Sequence, residues 1–233
     1  MTAPAAILLD ALGTVVALEP PAPHLRVELW RRFGLEVSEG QAERAIAAEI
    51  AYYRAHLDEG RDQAGLEALR RRCAGVLLSE LPGADLDLDS LVDALLASLR
   101  FVAFPDVRPA LVAARSRGQR LVVASNWDVS LHGVLRALKL EPLLDGLLTS
   151  AEVGARKPAP AIFERALALA GVAPGEAVHV GDSLDEDVAG ARAAGIEPVL
   201  IRRDGGPPVT EVRTISSLAE LAGITFKRPP KLV

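Results

Sequence analysis

The stretch that decides the fold is residues 5–16, Ala-Ala-Ile-Leu-Leu-Asp-Ala-Leu-Gly-Thr-Val-Val. Its first five residues, Ala5–Leu9, are all aliphatic, and such a run without polar alternation predicts a strand buried on both faces of a parallel sheet. Asp10 follows where that strand should end, and Gly13 and Thr14 supply a turn. Because ligands bind at the carboxyl ends of parallel strands, Asp10 is a candidate site residue. The alternative is an aspartate that only caps the turn.

Strand-like and helical segments alternate after Phe104-Pro105-Asp106. Alternation of this kind predicts parallel βαβ units with right-handed crossovers. We therefore predict a doubly wound, Rossmann-like α/β core that also contains the strand at 5–9. The predicted strands are 120–124, 146–148, 177–180 and 198–201, and the predicted helices are 106–117, 128–139, 160–170 and 187–194. A short closing helix is expected at 216–222, followed by a frayed tail at 227–231.

The segment between the first two core strands has a helical pattern throughout. Ser38 and Gln41 form a capping-box signature ahead of a helix that runs to about residue 57. Helical spacing is also seen at Leu25, Leu29, Trp30 and Phe33. Two further helices fit residues 62–80 and 89–100, with a break at Leu-Pro-Gly 81–83. We predict two domains, an α/β core at 1–17 and 104–233 and an all-helical cap inserted at 18–103. Three prolines within residues 20–23 predict a stiff connector between them.

Composition excludes several classes of protein. The chain has 233 residues, 50% of them hydrophobic, and a net charge of -5, which argues against a broad nucleic-acid or anionic-membrane surface. The single cysteine, Cys73, excludes an internal disulfide and a multi-cysteine metal site, and its helical context predicts burial. No apolar run is long enough to span a membrane, and no Lys or Arg precedes the first one. We expect a cytoplasmic protein.

Polar groups follow the next predicted strands as well. The Ser125 hydroxyl and the backbone N–H of Asn126 would suit a phosphate oxygen, unless Ser125 is only a helix N-cap. Lys157 is followed by Pro158 in the loop after the third strand. An ammonium held there would neutralise a carboxylate and a transferring phosphoryl group together. The alternative is a solvated surface lysine.

The fourth of these strands leads into Gly-Asp-Ser-Leu-Asp-Glu-Asp, residues 181–187. Its acidic groups repel one another unless a cation or a helix N-terminus compensates for their charge. Carboxylate oxygens are ligands that Mg²⁺ prefers, which makes Asp182 and Asp187 candidate metal ligands. The alternative is that Asp187 caps the following helix and the others are solvated. His179, between two valines, is interpreted as a core histidine.

Taken in order, Asp-x-x-Gly-Thr, Ser-Asn, Lys-Pro and Gly-Asp-x-x-x-x-Asp resemble the motifs of the haloacid dehalogenase-like hydrolase superfamily, and the inserted helices resemble the cap of its helical-cap subfamily. The resemblance implies that Asp10 is a nucleophile that forms an aspartyl intermediate and that Lys157 bridges it to the phosphate. Its remaining implied roles are substrate or phosphate binding and metal binding. The phosphate-binding residues would be Thr14, Ser125 and Asn126, and the Mg²⁺ ligands would be Asp10, Asp182, Asp187 and the backbone carbonyl of Leu12.

One residue departs from the pattern. Phosphatases of this superfamily carry a second aspartate two residues after the nucleophile as general acid and base, whereas this chain has Leu12. General acid–base catalysis is worth roughly 10²–10⁴-fold, so activity on alkyl phosphates is expected to be reduced. Candidate substitutes from the cap are His24, His56, Tyr52 and Tyr53.

The sequence thus predicts a Mg²⁺-dependent phosphatase-type hydrolase for a small phosphorylated metabolite. Nucleic acid and membrane are not expected partners, and the sequence does not indicate an oligomeric state. Two alternatives stay open. One is a hydrolytic 2-haloacid dehalogenase, which normally has an aromatic residue at position 12 and disfavours a metal. The other is a catalytically weak member that binds a phosphorylated ligand or a protein partner.

Overall fold

A computed structural model describes residues 3–81 and 85–225. The tail predicted at 227–231 and most of the predicted break at 81–83 lie outside these residues. The described chain divides into two compact units. One contains the described residues up to Ala17 and from Ala103 onward, and the other contains those from Leu18 to Val102.

Strands and helices lie close to the predicted positions. The strands of the described residues are β1 (Ala6–Leu9), β2 (Val16–Leu18), β3 (Phe101–Ala103), β4 (Arg120–Ser125), β5 (Gly146–Thr149), β6 (Ala177–Gly181), β7 (Glu197–Ile201) and β8 (Arg213–Ile215). The α-helices are α1 (Pro21–Phe33), α2 (Glu39–His56), α3 (Gln63–Ser79), α4 (Leu88–Ser98), α5 (Val107–Ser116), α6 (Ser130–Ala137), α7 (Ser150–Val153), α8 (Pro160–Ala170) and α9 (Ala189–Ala193).

The first unit is built on a six-stranded sheet in the order β5-β4-β1-β6-β7-β8. Every pairing in it is parallel, and Ala6 of β1 lies opposite Arg120 on one side and Ala177 on the other. Because the strand order reverses at β1, the residues after β1, β4 and β6 meet at the switch point where doubly wound sheets bind ligands. The predicted Rossmann-like α/β fold is confirmed.

Helices cover this sheet and fix its strands. Leu8 and Val122 pack with Ile162 and Phe163 of α8 in one buried cluster, and α5 contacts β4. All four of these side chains are fully buried, and burial of an aliphatic or aromatic side chain stabilises the fold by about 1.5–3 kcal/mol. The strand ends that carry the candidate site residues therefore sit on a rigid platform.

Apart from the strand residues at its two ends, the described part of the second unit is helical, and it has a core of its own. Leu25, Leu69 and Leu91, from α1, α3 and α4, belong to one buried cluster together with Cys73, whose predicted burial is confirmed. The capping box predicted for α2 is present, since Ser38 Oγ accepts from the Gln41 N–H at 3.3 Å and Gln41 Oε1 accepts from the Ser38 N–H at 2.8 Å.

One local prediction was wrong for a physical reason, and several short elements were not predicted. The prolines that predicted a stiff connector begin α1 instead, because the first turn of a helix does not use its N–H groups for internal hydrogen bonds. The strands β2, β3 and β8, each three residues long, were not predicted; β2 and β3, where the chain leaves and re-enters the first unit, form a two-stranded sheet. The closing helix is a 3₁₀ helix, Leu218–Gly223.

Leu184–Val188 forms a π-helical turn just before α9, where a helix was predicted to begin at residue 187. Such turns are rare and frequently occur at functional sites. None of the helices in the described chain combines the length and the apolarity that crossing a membrane requires.

Candidate active site

Asp10 lies directly after β1 and is 6% exposed. Its backbone N–H donates to the Val180 carbonyl at 2.9 Å, which fixes it to the neighbouring strand β6. Its Oδ1 accepts hydrogen bonds from Ser125 Oγ at 2.8 Å and from Lys157 Nζ at 2.5 Å. No hydrogen bond to Oδ2 is present among the residues that the structure describes. Burial raises the pKa of Asp10 against the opposing effect of Lys157.

Ser125 ends β4 and is 2% exposed. The N-cap alternative for this residue is wrong, because the next helix, α6, begins five residues later and its N-cap is Val129. The hydroxyl instead orients the carboxylate of Asp10. The predicted phosphate-binding role of Ser125 stays a prediction.

Lys157 is a buried residue rather than a surface lysine, since its side chain is 1% exposed. Its ammonium donates to Asp10 Oδ1 at 2.5 Å and to Asp187 Oδ1 at 2.6 Å. Burial disfavours the ammonium, but the two carboxylates outweigh this effect and raise the pKa of Lys157 above its ordinary value. The lysine is therefore a fixed positive charge between two aspartates.

Asn126 holds the main chain of Lys157 in place. Its Oδ1 accepts from the Lys157 N–H at 2.7 Å, and its Nδ2 donates to the Lys157 carbonyl at 3.0 Å. Both ends of the amide are thus used for positioning the lysine. The backbone N–H of Asn126, which the sequence suggested for phosphate, keeps that role as a prediction.

Asp187 lies inside the π-helical turn and is 1% exposed. It does not act as an N-cap; Ser183 caps this turn, and Asp187 Oδ2 accepts from the Ser183 N–H at 3.1 Å. Oδ1 accepts from Lys157 and also from His179 Nε2 at 2.8 Å. Burial opposes ionisation of Asp187, but Lys157 and His179 outweigh it and hold its pKa well below the usual range.

His179 is a core histidine, as interpreted, but it also contacts the candidate site through Asp187, which sequence reasoning missed. Its side chain is fully buried, and its ring packs edge-on against Phe163 with centroids 5.0 Å apart. The imidazole therefore fixes the carboxylate of Asp187 from the side of the core. A lone histidine in an otherwise aliphatic strand was the available signal, because a buried imidazole needs a polar partner.

Asp182 follows β6 and is the exposed member of an acidic cluster with Asp10 and Asp187. One carboxylate oxygen from each of the three lies within 4.8 Å of the others. Partial burial of its carboxyl group, together with the negative charges of Asp10 and Asp187, raises the pKa of Asp182 to about 6. Three carboxylates beside a single ammonium leave an excess of negative charge, and this oxygen-only donor set fits a hard divalent cation.

Two glycines make room for these carboxylates. A Cβ on Gly181 would lie 2.0 Å from Cγ of Asp187, and a Cβ on Gly13 would lie 2.2 Å from Oδ2 of Asp182. Gly13 also has a φ of +78°, which other residues rarely adopt. The glycines of both motifs are therefore required by close approach of the acidic side chains.

Thr14 and Leu12 complete the turn after Asp10. Thr14 is fully buried, and its carbonyl accepts from Arg203 Nη2 at 2.5 Å, while Arg203 also binds Asp106. The Thr14 hydroxyl has no hydrogen-bond partner among the described residues, and its predicted role in phosphate binding stays a prediction.

Leu12 is 37% exposed. The proposed cap substitutes have local partners, His24 with Glu19 at 3.2 Å and His56 with the Tyr52 carbonyl at 2.7 Å.

Comparison with known proteins identifies relatives in sequence and in structure. The sequence profile described as a hydrolase of the haloacid dehalogenase-like type matches residues 4–195. Haloacid dehalogenase-like hydrolase domain-containing protein 3 of Bos taurus is 43% identical over 91 residues, which are 39% of this chain and 36% of that protein. The glyceraldehyde 3-phosphate phosphatase of Methanopyrus kandleri is 42% identical over 101 residues, 43% of each chain.

The phosphoserine phosphatase of Thermus thermophilus is 36% identical over 148 residues, which are 60% of this chain and 59% of that protein. The matches thus span from about a third to three fifths of these relatives. A solved structure of a HAD phosphatase from Thermococcus onnurineus has a TM-score of 0.64 at 27% identity and covers 94% of this chain and 96% of its own.

A 2-haloacid dehalogenase from Pseudomonas syringae pv. Tomato has the same fold, with a TM-score of 0.67 at 24% identity and the same coverage of both chains. The profile match covers most of the chain, including the residues that carry all four motifs. The chain belongs to the haloacid dehalogenase-like hydrolase family.

Proposed function

We propose that this hydrolase is a phosphatase-type enzyme that transfers the phosphoryl group of a small phosphorylated metabolite first to Asp10 and then to water. The observation that carries the proposal is the asymmetry of the Asp10 carboxylate. Ser125 and Lys157 both bind Oδ1, whereas Oδ2 accepts no hydrogen bond from any residue described. One oxygen is held and the other is left to attack, which is the alignment that phosphoryl transfer needs.

Lys157 gives this arrangement its charge balance. A phosphoryl group adds negative charge beside Asp10, and a buried ammonium fixed 2.5 Å from Oδ1 stabilises it without reorganising. The names of the relatives from Methanopyrus kandleri and Thermus thermophilus, which specify small phosphorylated compounds, support the same reaction class.

We further propose Mg²⁺ as the cation of the acidic cluster. Asp10, Asp182 and the backbone carbonyl of Leu12 would hold it directly. Asp187 would support it from behind, because both of its oxygens already accept hydrogen bonds from the protein. When bound, Mg²⁺ would neutralise charge on the phosphoryl oxygens.

The proposal is tested with p-nitrophenyl phosphate and Mg²⁺. Wild-type protein should release nitrophenol and phosphate, and Asp10→Asn should reduce release to the level of protein-free buffer. Asp204→Asn is the matched control, since Asp204 is an exposed aspartate of the same unit that pairs with Arg202. Acid-quenched wild-type protein should also carry one added phosphoryl mass that Asp10→Asn lacks.

Equal release by wild type and Asp10→Asn would contradict the proposal. Release of chloride from a 2-chloroacid without Mg²⁺, in place of phosphate release, would identify the dehalogenase alternative instead.

A further inference from the structure

The side chain two residues after Asp10 has no proton to give. Leu12 is apolar and 37% exposed, in a turn where the Gly13 N–H donates to the Val16 carbonyl at 2.8 Å and the Thr14 N–H to the Ala11 carbonyl at 3.2 Å. Main-chain hydrogen bonds thus close the turn, and none of its side chains is an acid. A leaving group at Asp10 gains no proton from this side.

The polar side chains that contact Asp10 and Asp187 use their described hydrogen bonds to hold these two carboxylates. Ser125 Oγ donates to Asp10 itself, and Lys157 Nζ donates to Asp10 and to Asp187 while its side chain is 1% exposed. The His179 side chain is fully buried, and its Nε2 lies 2.8 Å from Asp187. These three groups hold the carboxylates in place, and their described side-chain hydrogen bonds all go to Asp10 and Asp187.

Asp182 is the exposed carboxylate of the site, and it belongs to the acidic cluster. A carboxylate that binds a cation is deprotonated, so it does not serve as an acid in the loaded site. The groups that contact Asp10 and the members of its acidic cluster therefore supply a nucleophile, a fixed cation and a set of cation ligands, but none of them presents a free acid to a departing oxygen.

Resting on the proposed phosphoryl transfer to Asp10, we propose that this enzyme acts on phosphorylated compounds whose leaving group departs as a stable anion. Acyl phosphates, phosphoanhydrides, and enol or aryl phosphates form this class. Simple alkyl phosphates, which would have to release an alkoxide, lie outside it. This distinguishes the chain from relatives whose names specify alkyl phosphates, such as phosphoserine phosphatase.

The reaction balances without an acid. Asp10 Oδ2 forms a bond to phosphorus, and the bond from phosphorus to the leaving oxygen breaks, so that both electrons and the negative charge leave with that oxygen. Water then attacks phosphorus, the bond to Asp10 breaks, and the water proton passes to the solvent. A positioned acid is worth roughly 10²–10⁴-fold, and its absence penalises basic leaving groups most.

The experiment compares phosphorylated compounds of graded leaving-group basicity with wild-type protein and Mg²⁺. The series contains acetyl phosphate, aryl phosphates whose leaving groups have pKa values from about 4 to about 10, the range between a carboxyl group and a phenol, and glycerol phosphate. We expect kcat/KM to fall by about 10²–10⁴ from the best to the poorest leaving group.

Variants at position 12 provide a second readout. Dinitrophenyl phosphate is the aryl phosphate of the series with the least basic leaving group. Leu12→Asp should raise the rate with glycerol phosphate relative to the rate with dinitrophenyl phosphate by about 10²-fold or more. Leu12→Asn, which has a similar size and no acidic proton, should keep the wild-type ratio. The wild-type series is informative even if the Leu12→Asp protein does not fold.

Wild-type rates that do not depend on the leaving group would overturn the inference, because they would show that another group of the protein protonates the leaving oxygen. Phosphoryl transfer at Asp10 would still stand in that case. If no compound of the series gives release that Asp10→Asn abolishes, the proposed function itself fails, and the inference fails with it.

Discussion

Asp182 is the carboxylate of the candidate site that has no hydrogen bond to the Lys157 ammonium. The ammonium donates to Asp10 and Asp187 instead. The third carboxylate therefore experiences the negative charge of the other two, and partial burial together with this repulsion raises its pKa to about 6. Asp182 is thus the residue whose ionisation should report on the occupancy of the site.

The pH dependence of metal-free stability follows from that pKa. An unfolded aspartate loses its proton near pH 3.9, whereas Asp182 in the folded protein holds it to about pH 6. Between these values the folded state binds more protons, so its stability falls as pH rises through the window and stays at the lower level above it. Asp182→Asn removes this loss, and in chelator it should be more stable than wild type at pH 7 but not at pH 4.

Urea unfolding midpoints at the two pH values measure this effect. The control is Asp185→Asn, because Asp185 is an exposed aspartate outside the three-carboxylate cluster. Its stability relative to wild type should not increase from pH 4 to pH 7. Added Mg²⁺ should then stabilise wild type more than Asp182→Asn, because a ligand that binds only the folded state adds its binding free energy. Equal stabilisation of both proteins would place the cation elsewhere.

At the scale of elements, strand β6 and the π-helical turn are built around one close contact. The missing side chain of Gly181 leaves the space in which the Asp187 carboxylate lies. Because Asp187 also binds Lys157 and His179, a shift at this contact reaches both the fixed cation and the buried core.

Gly181→Ala tests that contact. The new Cβ would lie 2.0 Å from Cγ of Asp187, so the carboxylate or the strand has to move. We expect a loss of about 1–3 kcal/mol from overpacking and about a 10²-fold loss of phosphatase activity from misplacement of the site. Urea unfolding and p-nitrophenyl phosphate turnover measure the two effects.

Gly133→Ala in α6 is the matched control, since a Cβ at that position meets no atom within 4 Å. It should keep full activity and gain up to about 1 kcal/mol of stability from helix propensity. Wild-type activity in Gly181→Ala would show that the position of Asp187 does not matter for turnover.

Some elements and contacts of the structure were predictable from the sequence, and others were not. β1, β4 and β6 were predictable because their aliphatic runs are buried on both faces, and they deliver Asp10, Ser125 and Asp182 to one edge. The hydrogen bond of Arg203 to Thr14 was not, because it joins residues 189 positions apart and a surface arginine has the same local pattern.

The π-helical turn was not predictable from the sequence for a different reason. Leu184-Asp185-Glu186-Asp187 has the acidic character of an ordinary first helical turn, so Asp187 was open to interpretation as a cap. Only tertiary contacts with Lys157 and His179 turn its carboxylate inward. A short segment without a periodic pattern does not encode that choice locally.

At the scale of the whole molecule, we propose that the two units correspond to the predicted domains and unfold separately. Each has its own buried cluster, one that contains Leu91 and one that contains Ile162, and both side chains are fully buried. Leu91→Ala should cost about 2–5 kcal/mol, and its effect should be confined to the helical unit.

Hydrogen exchange measures this confinement. Leu91→Ala should accelerate exchange in α1–α4 and leave β1, β4 and β6 protected, whereas Ile162→Ala should do the reverse. Equal acceleration throughout the described chain in either variant would show that the two units unfold as one.

The central position of β1 in the sheet has a consequence for biosynthesis. Ala6 pairs with Arg120 and Ala177, so more than a hundred further residues leave the ribosome before the first partner strand exists. At bacterial or eukaryotic elongation rates this takes on the order of 10 s. During that interval the nascent chain exposes an aliphatic segment that is not yet paired in the sheet and can bind chaperones, and slower translation would lengthen its exposure.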